Sequence, residues 1–222
     1  MEDTLAVFIE YGPQFLDGLA QTVWLTLLGA LCALAAAVVL QAAAASPWRP
    51  LRGLVRLYTE LILGLPILVL LYCIYFVAPS FGLRLSAVAA GILTLTLYYS
   101  PYMAEAIRAA VAAIPAGQIE AGNAIGFGRF AVARRIVLPQ AAAIALPALV
   151  GLLIGLAKDT AILSIISVKE LSYITKQVVS RTFMPFEVWA GVALIYWVCL
   201  TALEFAMRRL EHHLTRYRRA VS

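Results

Sequence analysis

Long stretches without a charged side chain divide the sequence. Four of them cover residues 18–48, 61–83, 85–104 and 136–157, and a shorter one covers residues 188–203. An α-helix needs roughly 20 mostly apolar residues to cross a bilayer. The pattern therefore predicts an all-α membrane protein with five transmembrane helices, at about residues 18–43, 57–80, 85–110, 138–158 and 186–207. The apolar segment 160–168 is too short to cross, so we expect a re-entrant or interfacial helix there.

The overall composition agrees with a lipid environment. The chain is 63% hydrophobic and 13% charged, and its mean hydropathy is +0.91. A soluble domain contains about 25% charged residues. A chain of 24.0 kDa is also too small to bury so many apolar side chains in its own interior. We therefore expect a multi-pass protein whose spans contact membrane lipid.

The distribution of lysine and arginine predicts the orientation, because basic residues concentrate on the cytoplasmic side. With the N-terminus outside and the C-terminus inside, twelve of the 17 basic residues lie inside and five lie outside. The opposite orientation reverses this count. Residues 105–135 are then cytoplasmic. The net charge of +5 is explained by topology, so no nucleic-acid partner is expected.

Several kinds of chemistry are missing from the sequence. The chain has no GxxxxGK segment followed by serine or threonine, so it lacks a P-loop for ATP. The three cysteines, Cys32, Cys73 and Cys199, fall in three different predicted spans and form no metal or disulfide motif. We therefore expect no enzyme activity, metal or bound cofactor in this chain itself.

A polar, glycine-spaced segment stands out in the predicted cytoplasmic region. Pro115 disfavours helix in the residue before it and is suited to starting a new helix. A short helix is predicted at about residues 117–127, with Glu120 near its beginning, where a carboxylate favours the helix dipole. Gly126 is suited to the left-handed conformation that ends a helix.

The spacing in this segment resembles the EAA loop of bacterial ABC importer permeases. Glu120-Ala121-Gly122 is followed after three residues by Gly126, and then by Ile136 and Leu138-Pro139 at the family's intervals. Gly122 stands where the family has alanine. The resemblance implies a coupling helix that docks in a groove of a separate ATPase subunit, which binds ATP and Mg²⁺. The implied ATPase-coupling residues are Glu120, Ala121, Gly122, Gly126 and Arg129.

Three further segments are similar to those of polar amino acid permeases, the branch for histidine, glutamine, arginine and opines. They are Tyr58-Thr59-Glu60 with Gly64 and Pro66, Lys158-Asp159-Thr160, and residues 181–187. This resemblance implies the type I ABC importer permease fold, as a single transmembrane domain over residues 1–222. It also implies a bacterial inner-membrane location and three kinds of partner: two ATPase subunits, a second permease of the same or a homologous chain, and a substrate-binding protein.

The departures from that family pattern concern charge. Leu63 stands where the family has arginine, so we expect Glu60 to pair with Arg56 one turn earlier. Gly151-Leu152 stands where the family often has Asn-Glu. The missing acidic residue makes a cationic cargo less suited to this subunit. Alternatively, a paired permease supplies the contacts to the cargo.

Asp159 is the leading candidate in the substrate pathway, because a carboxylate at membrane depth usually faces a cavity or a partner. Its carboxylate binds the α-ammonium group of an amino acid. Alternatively, the carboxylate forms a bond within the chain, and Lys158 or Thr160 helps to cap the next helix. Tyr98 lines the path with Tyr99 and Tyr102, or these rings anchor the helix at the membrane interface. The remaining pathway candidates are Glu60, Gly64 and Pro66.

Together these features predict the transmembrane subunit of an ATP-driven importer for a polar amino acid or a related compound such as an opine. The alternative is a self-sufficient secondary transporter or channel. That class requires ion-handling groups within the spans, and secondary transporters often show inverted repeats. The charge-free stretches contain almost no such groups, and five spans show no clear repeat.

Overall fold

The computed structural model describes residues 2–215, and within this range it contains helices and no β-strand. The α-helices are α1 (Glu2–Glu10), α2 (Gly12–Ala44), α3 (Arg49–Leu63), α4 (Ile67–Tyr72), α5 (Ala87–Ala112), α6 (Ala116–Ala124), α7 (Arg129–Val132), α8 (Leu138–Asp159), α9 (Leu171–Thr182) and α10 (Pro185–Thr215). Two π-helices, Cys73–Val77 and Ala133–Val137, and two 3-10 helices, Ala78–Phe81 and Thr160–Ile166, lie between them.

The main core lies where α2, α5 and α8 meet. Leu25, Leu95 and Leu156, one from each helix, have no exposed surface. Small residues on α2 allow the close approach, as they do in many membrane helix pairs. A Cβ atom added at Gly29 would lie 3.2 Å from the side chain of Leu95. The core therefore fixes α5 between the other two helices.

Three helices of the described chain are long and apolar enough to cross a membrane: Gly12–Ala44, Arg129–Ile166 and Pro185–Arg209. The second of these joins α7, the π-helix Ala133–Val137, α8 and the 3-10 helix Thr160–Ile166 into 38 residues. The segment 160–168, expected as a separate short helix, is largely a continuation of α8. α5 has 26 residues but carries several polar side chains in its second half.

The predicted span at residues 57–80 is not one straight helix, which corrects the sequence-based expectation. α3 and the segment Ile67–Phe81 form a fourth candidate span only as a pair that is bent by 111°. Pro66 precedes the second helix and disfavours helix at Leu65, and α3 ends at its C-cap Gly64. Helix α3 also begins eight residues earlier than predicted, at Arg49.

The other helix ends differ from the predicted ones mostly by extension. α2 begins at Gly12 instead of residue 18, and α10 continues to Thr215 instead of residue 207. α5 and α8 agree with the predicted spans within two residues. The predicted inside position of the C-terminus concerns residues beyond 215 and lies outside the described residues.

A second cluster joins α1 and the beginnings of α2 and α10 to α9. Phe8 of α1 fills the space above Gly191, where an added Cβ would lie 2.0 Å from the ring. Glu170 is fully buried and caps α9, accepting hydrogen bonds from the backbone N–H groups of Ser172 and Tyr173 at 2.9 and 2.8 Å. The hydroxyl of Tyr196 donates to the same carboxylate at 3.0 Å.

Candidate functional site

Asp159 lies at the end of α8 and is held by a tyrosine from the neighbouring helix. The hydroxyl of Tyr99 on α5 donates a hydrogen bond to Oδ2 of Asp159 at 2.8 Å. Gly155 makes this contact possible, because a Cβ atom there would lie 3.1 Å from the Tyr99 hydroxyl oxygen. The intrachain partner of Asp159 is therefore Tyr99, which the sequence analysis had not paired with it.

Three tyrosines pack against one another beside Asp159. The ring centroids of Tyr98 and Tyr99 are 5.5 Å apart, and those of Tyr98 and Tyr102 are 5.4 Å apart. Together with Asp159 they line a cavity of about 260 Å³ between α5 and α8. The remaining lining residues are Gly151, Leu152 and Gly155. This arrangement favours the pathway interpretation of the tyrosines over simple interfacial anchoring.

The electrostatics of this cavity are simple, because Asp159 is the one charged residue among those that line it. Its carboxylate attracts a cationic group, and the neighbouring aromatic faces also favour a cation within about 6 Å of the ring centre. Leu152 contributes an apolar wall. The site can therefore hold one ammonium group next to uncharged surroundings.

The two neighbours of Asp159 in the sequence do not line this cavity. Lys158 is exposed. Thr160 has no exposed surface, and its hydroxyl donates to the carbonyl of Ala157 at 2.8 Å. In this conformation neither residue has a hydrogen bond to Asp159, and both remain pathway residues only as predictions.

A second, wider cavity of about 580 Å³ lies between α3 and α5 and contains Glu60. Arg56 pairs with Glu60 at 2.7 Å, as expected from the missing arginine at position 63, and both side chains are exposed. Glu105 and Arg108 also form an ion pair, at 2.7 Å, and both residues line the same cavity. Glu60 is thus separate from the Asp159 cavity.

Gly64 and Pro66 occupy the bend between α3 and α4 and are exposed. Neither residue lines the cavity that contains Asp159. Their observed effect is on the backbone, where they allow the 111° change of direction. Of the seven residues predicted for the substrate pathway, the structure brings only Tyr98 and Asp159 into one cavity.

The predicted coupling helix is present as α6, with Pro115 as its N-cap. It ends at Ala124, three residues before the predicted end at 127. The backbone N–H of Phe127 bonds to the carbonyl of Gly122 at 3.1 Å, and that of Gly126 bonds to the carbonyl of Asn123 at 3.0 Å. With a φ of +86° at Gly126, this is the Schellman ending that glycine favours.

One residue of α6 faces the membrane-spanning part of the chain. Gly122 is buried, and a Cβ atom there would lie 2.6 Å from Cδ1 of Ile136 and 3.2 Å from Cγ2 of Val132. Both neighbours belong to the first turns of the 38-residue helix Arg129–Ile166. The glycine that departs from the family pattern therefore permits close packing between α6 and that helix.

The opposite surface of this region is open. Glu120, Ala121, Gly126 and Arg129 are exposed, and within the described chain Glu120 has no hydrogen-bond or ion-pair partner. The sequence analysis missed two apolar residues beside them, Ile125 and Phe130, which are 70% and 77% exposed. Their signal was available, because adjoining large apolar residues in an otherwise polar loop form a patch that is suited to a partner. We therefore describe this face as a surface suited to a protein partner.

An apolar helical bundle with a small cavity that contains a carboxylate, and a short exposed helix at the end of one span, is compatible with a membrane transport subunit. The comparisons with known proteins agree with this class. The chain belongs to the family of binding-protein-dependent transport system inner membrane components, whose model matches residues 26–216.

Three similar proteins give this family assignment more detail. The probable glutamine ABC transporter permease protein GlnM of Bacillus subtilis (strain 168) is 34% identical over 95% of this chain and 97% of its own length. The L-cystine transport system permease protein TcyB of the same strain is 31% identical over 93% of this chain and 89% of its own. A solved amino acid ABC transporter with histidines has 31% identity and a TM-score of 0.87, over 93% of this chain and 96% of that one.

These findings confirm the main sequence-based predictions. The chain is a permease subunit of an ABC importer and a multi-pass protein of the inner membrane, and it is not an enzyme in its own right. Membership implies an ATPase, a substrate-binding protein and a second permease as partners. The alternative of a self-sufficient secondary transporter or channel is therefore set aside.

Proposed function

We propose that this permease carries a polar amino acid or a related compound, and that Asp159 accepts the α-ammonium group of the cargo. The observation that carries the proposal is the cavity in which Asp159 is oriented by the hydroxyl of Tyr99 at 2.8 Å. A carboxylate at membrane depth is costly and is retained where it faces a cavity or a partner.

The same cavity favours a cargo with an uncharged side chain. One carboxylate balances one ammonium group, and Leu152 occupies a position at which the family often has an acidic residue. Two of the relatives, the probable glutamine permease and the L-cystine permease, are named for cargoes of this class. If the partner permease supplies an acidic residue to a shared path, a cationic cargo becomes compatible.

For the topology we propose five spans, made by α2, the bent pair α3–α4, α5, α8 and α10, in one domain over residues 1–222. α5 completes the five spans because its 26 residues lie between α2 and α8 in the core, and its Tyr98, Tyr99 and Tyr102 line the Asp159 cavity. The N-terminus is outside and the C-terminus inside, which places twelve of the 17 basic residues on the cytoplasmic side.

We propose that two ATPase subunits, which bind ATP and Mg²⁺, associate with two paired permeases. Each ATPase binds the exposed surface of α6 on one permease. Glu120, Ala121, Gly126 and Arg129 contact the ATPase directly. Closure of the ATPase dimer moves α6, and the contact of Gly122 with Val132 and Ile136 passes the movement to α8. Asp159 lies about 35 Å beyond Ile136 along the continuous helix Arg129–Ile166, from a rise of about 1.5 Å per residue.

The wider cavity around Glu60 is then the part of the pathway nearer the cytoplasm. Its charged lining, Arg52, Arg56, Glu60, Glu105 and Arg108, is compatible with water and with a polar cargo in transit. Gly64 and Pro66 give α3 and α4 the freedom to change their angle during transport. Lys158 and Thr160 support the segment that carries Asp159.

The test is uptake by proteoliposomes that contain the permease, its cognate ATPase and binding protein. A panel of radiolabelled amino acids that includes glutamine, cystine and arginine identifies the cargo. Asp159→Asn is expected to reduce uptake at least tenfold, while ATP hydrolysis continues. Asp17→Asn, the same change at an exposed carboxylate of α2, is the matched control and is expected to have little effect. Normal uptake by Asp159→Asn would refute the proposed role of Asp159.

A further inference from the structure

The inner helix α5 contains a proline at a functionally sensitive place. Pro101 lies in the interior of α5 and has no backbone N–H, so the carbonyl of Leu97 loses its usual helical donor. Such a carbonyl is costly in a membrane, where no bulk water replaces the missing bond. Helices that keep an internal proline therefore need a donor from elsewhere.

A side chain from α3 supplies that donor. The hydroxyl of Tyr58 donates a hydrogen bond to the carbonyl oxygen of Leu97 at 2.7 Å. The same hydroxyl is 3.0 Å from the hydroxyl oxygen of Ser100, which is almost fully buried. Ser100 itself reaches the Leu97 carbonyl only at 3.4 Å, so Tyr58 makes the shorter contact.

The turn of α5 that receives this bond is also the turn that lines the candidate substrate cavity. Tyr98, Tyr99 and Tyr102 follow Leu97 within five residues and line the cavity with Asp159. The hydroxyl of Tyr99 in turn orients Asp159. A change in the position of this turn would therefore change the geometry of the carboxylate.

We propose that Tyr58 is a positioning residue for the substrate cavity, because its hydroxyl replaces the hydrogen bond that Pro101 removes from α5. The link fixes the tyrosine-bearing turn of α5 to α3. α3 ends at the bend before Pro66, so a change in the angle of α3 alters the support of the cavity. This inference rests on the proposed function of the Asp159 cavity and extends it to a residue outside the cavity.

The first test is Tyr58→Phe in the complete transporter, which removes one oxygen atom and retains the ring. A buried carbonyl without its donor weakens the positioning, and we expect KM for the best-transported amino acid of the radiolabelled panel to rise about fivefold to tenfold. The control is Tyr72→Phe, since Tyr72 is exposed on α4 and its hydroxyl has no hydrogen-bond partner in the described chain. An unchanged KM in Tyr58→Phe would overturn the proposal.

The second test uses the proline itself. Pro101→Ala restores a backbone N–H that can bond to the Leu97 carbonyl within α5. In this background the hydroxyl of Tyr58 becomes dispensable, so adding Tyr58→Phe is expected to change KM less than twofold, by less than about 0.4 kcal/mol. If Tyr58→Phe is equally harmful with alanine at position 101, the hydroxyl acts in another way and the proposal fails.

A measurement without cargo separates this inference from the proposed role of Asp159. Amide hydrogen exchange of the α5 peptides around Leu97 is expected to increase in Tyr58→Phe, and to remain at the wild-type level in Tyr72→Phe. The variant with both Tyr58→Phe and Pro101→Ala should not show the increase. Unchanged exchange in Tyr58→Phe would overturn the link, whereas normal uptake by Asp159→Asn would overturn only the cargo site.

Discussion

The contact between Gly122 and Ile136 gives the sharpest prediction about coupling. Gly122→Ala places a methyl group 2.6 Å from Cδ1 of Ile136, well inside the usual carbon–carbon distance of about 3.5–4.0 Å. The end of the isoleucine side chain must move aside, and a side chain forced about 30° off a rotamer costs about 0.5–1.5 kcal/mol. That energy lowers the ratio of correctly seated to unseated α6 by about twofold to thirteenfold.

Removal of the obstructing atom should reverse the effect. Ile136→Val lacks Cδ1, so the variant with both Gly122→Ala and Ile136→Val has room for the new methyl group. Alanine is the better helix former by about 0.8–1.0 kcal/mol in both variants, but this gain stabilises the helix α6 itself and does not relieve the clash with Ile136. We therefore expect the double variant to transport at least as well as Ile136→Val alone, whereas Gly122→Ala alone falls below the wild type.

The assay is the amount of amino acid taken up per ATP hydrolysed in proteoliposomes with the cognate ATPase and binding protein. A seating defect lowers this ratio, because hydrolysis continues while fewer α6 helices transmit movement. The reasoning is refuted if the double variant is as impaired as Gly122→Ala, or if Gly122→Ala has the wild-type ratio.

Three further predictions follow from the contacts at other positions. Gly126→Ala forces alanine into a left-handed conformation, which costs about 1–2 kcal/mol. It should therefore lower ATPase binding, measured by co-purification, more than Gly126→Asn does, because asparagine tolerates this conformation better. Equal binding by both variants would contradict this. Arg56→Gln removes an exposed ion pair with Glu60 and should change the stability in detergent by less than about 1 kcal/mol. Glu170→Gln leaves the buried donors of α9 and Tyr196 imperfectly paired and should destabilise the protein by about 1–3 kcal/mol. The expected result is a lower melting temperature, and an unchanged melting temperature would exclude the capping role.

The sequence was sufficient where the structural signal is local. Charge-free stretches of adequate length indicated the long helices, because membrane insertion depends on composition over one segment. Pro115 and Gly126 marked the two ends of α6 for the same reason, since caps are set by a few neighbouring residues. The pair of Arg56 and Glu60 needed only the spacing of one helical turn.

The sequence was insufficient where distant residues meet. The bond between Tyr99 and Asp159 joins residues 60 positions apart, and nothing in either local segment selects one partner over another. No motif in the sequence distinguishes Glu170 from other charged loop residues, although the fold buries it against α10. The bend at Gly64 and Pro66 had a local signal, but the uninterrupted hydrophobicity of residues 61–83 concealed it.

The central claim, that Asp159 binds the ammonium group of the cargo, is tested most directly with two ligands and two proteins. The ligands are the transported amino acid and its analogue without the α-ammonium group. Both are supplied bound to the binding protein, or as free ligand if this permease transports it without the binding protein. Wild-type transporter should prefer the amino acid by at least tenfold, and Asp159→Asn should lose most of this preference. If Asp159→Asn keeps the full wild-type preference, the ammonium group is recognised elsewhere and the account of this cavity is wrong.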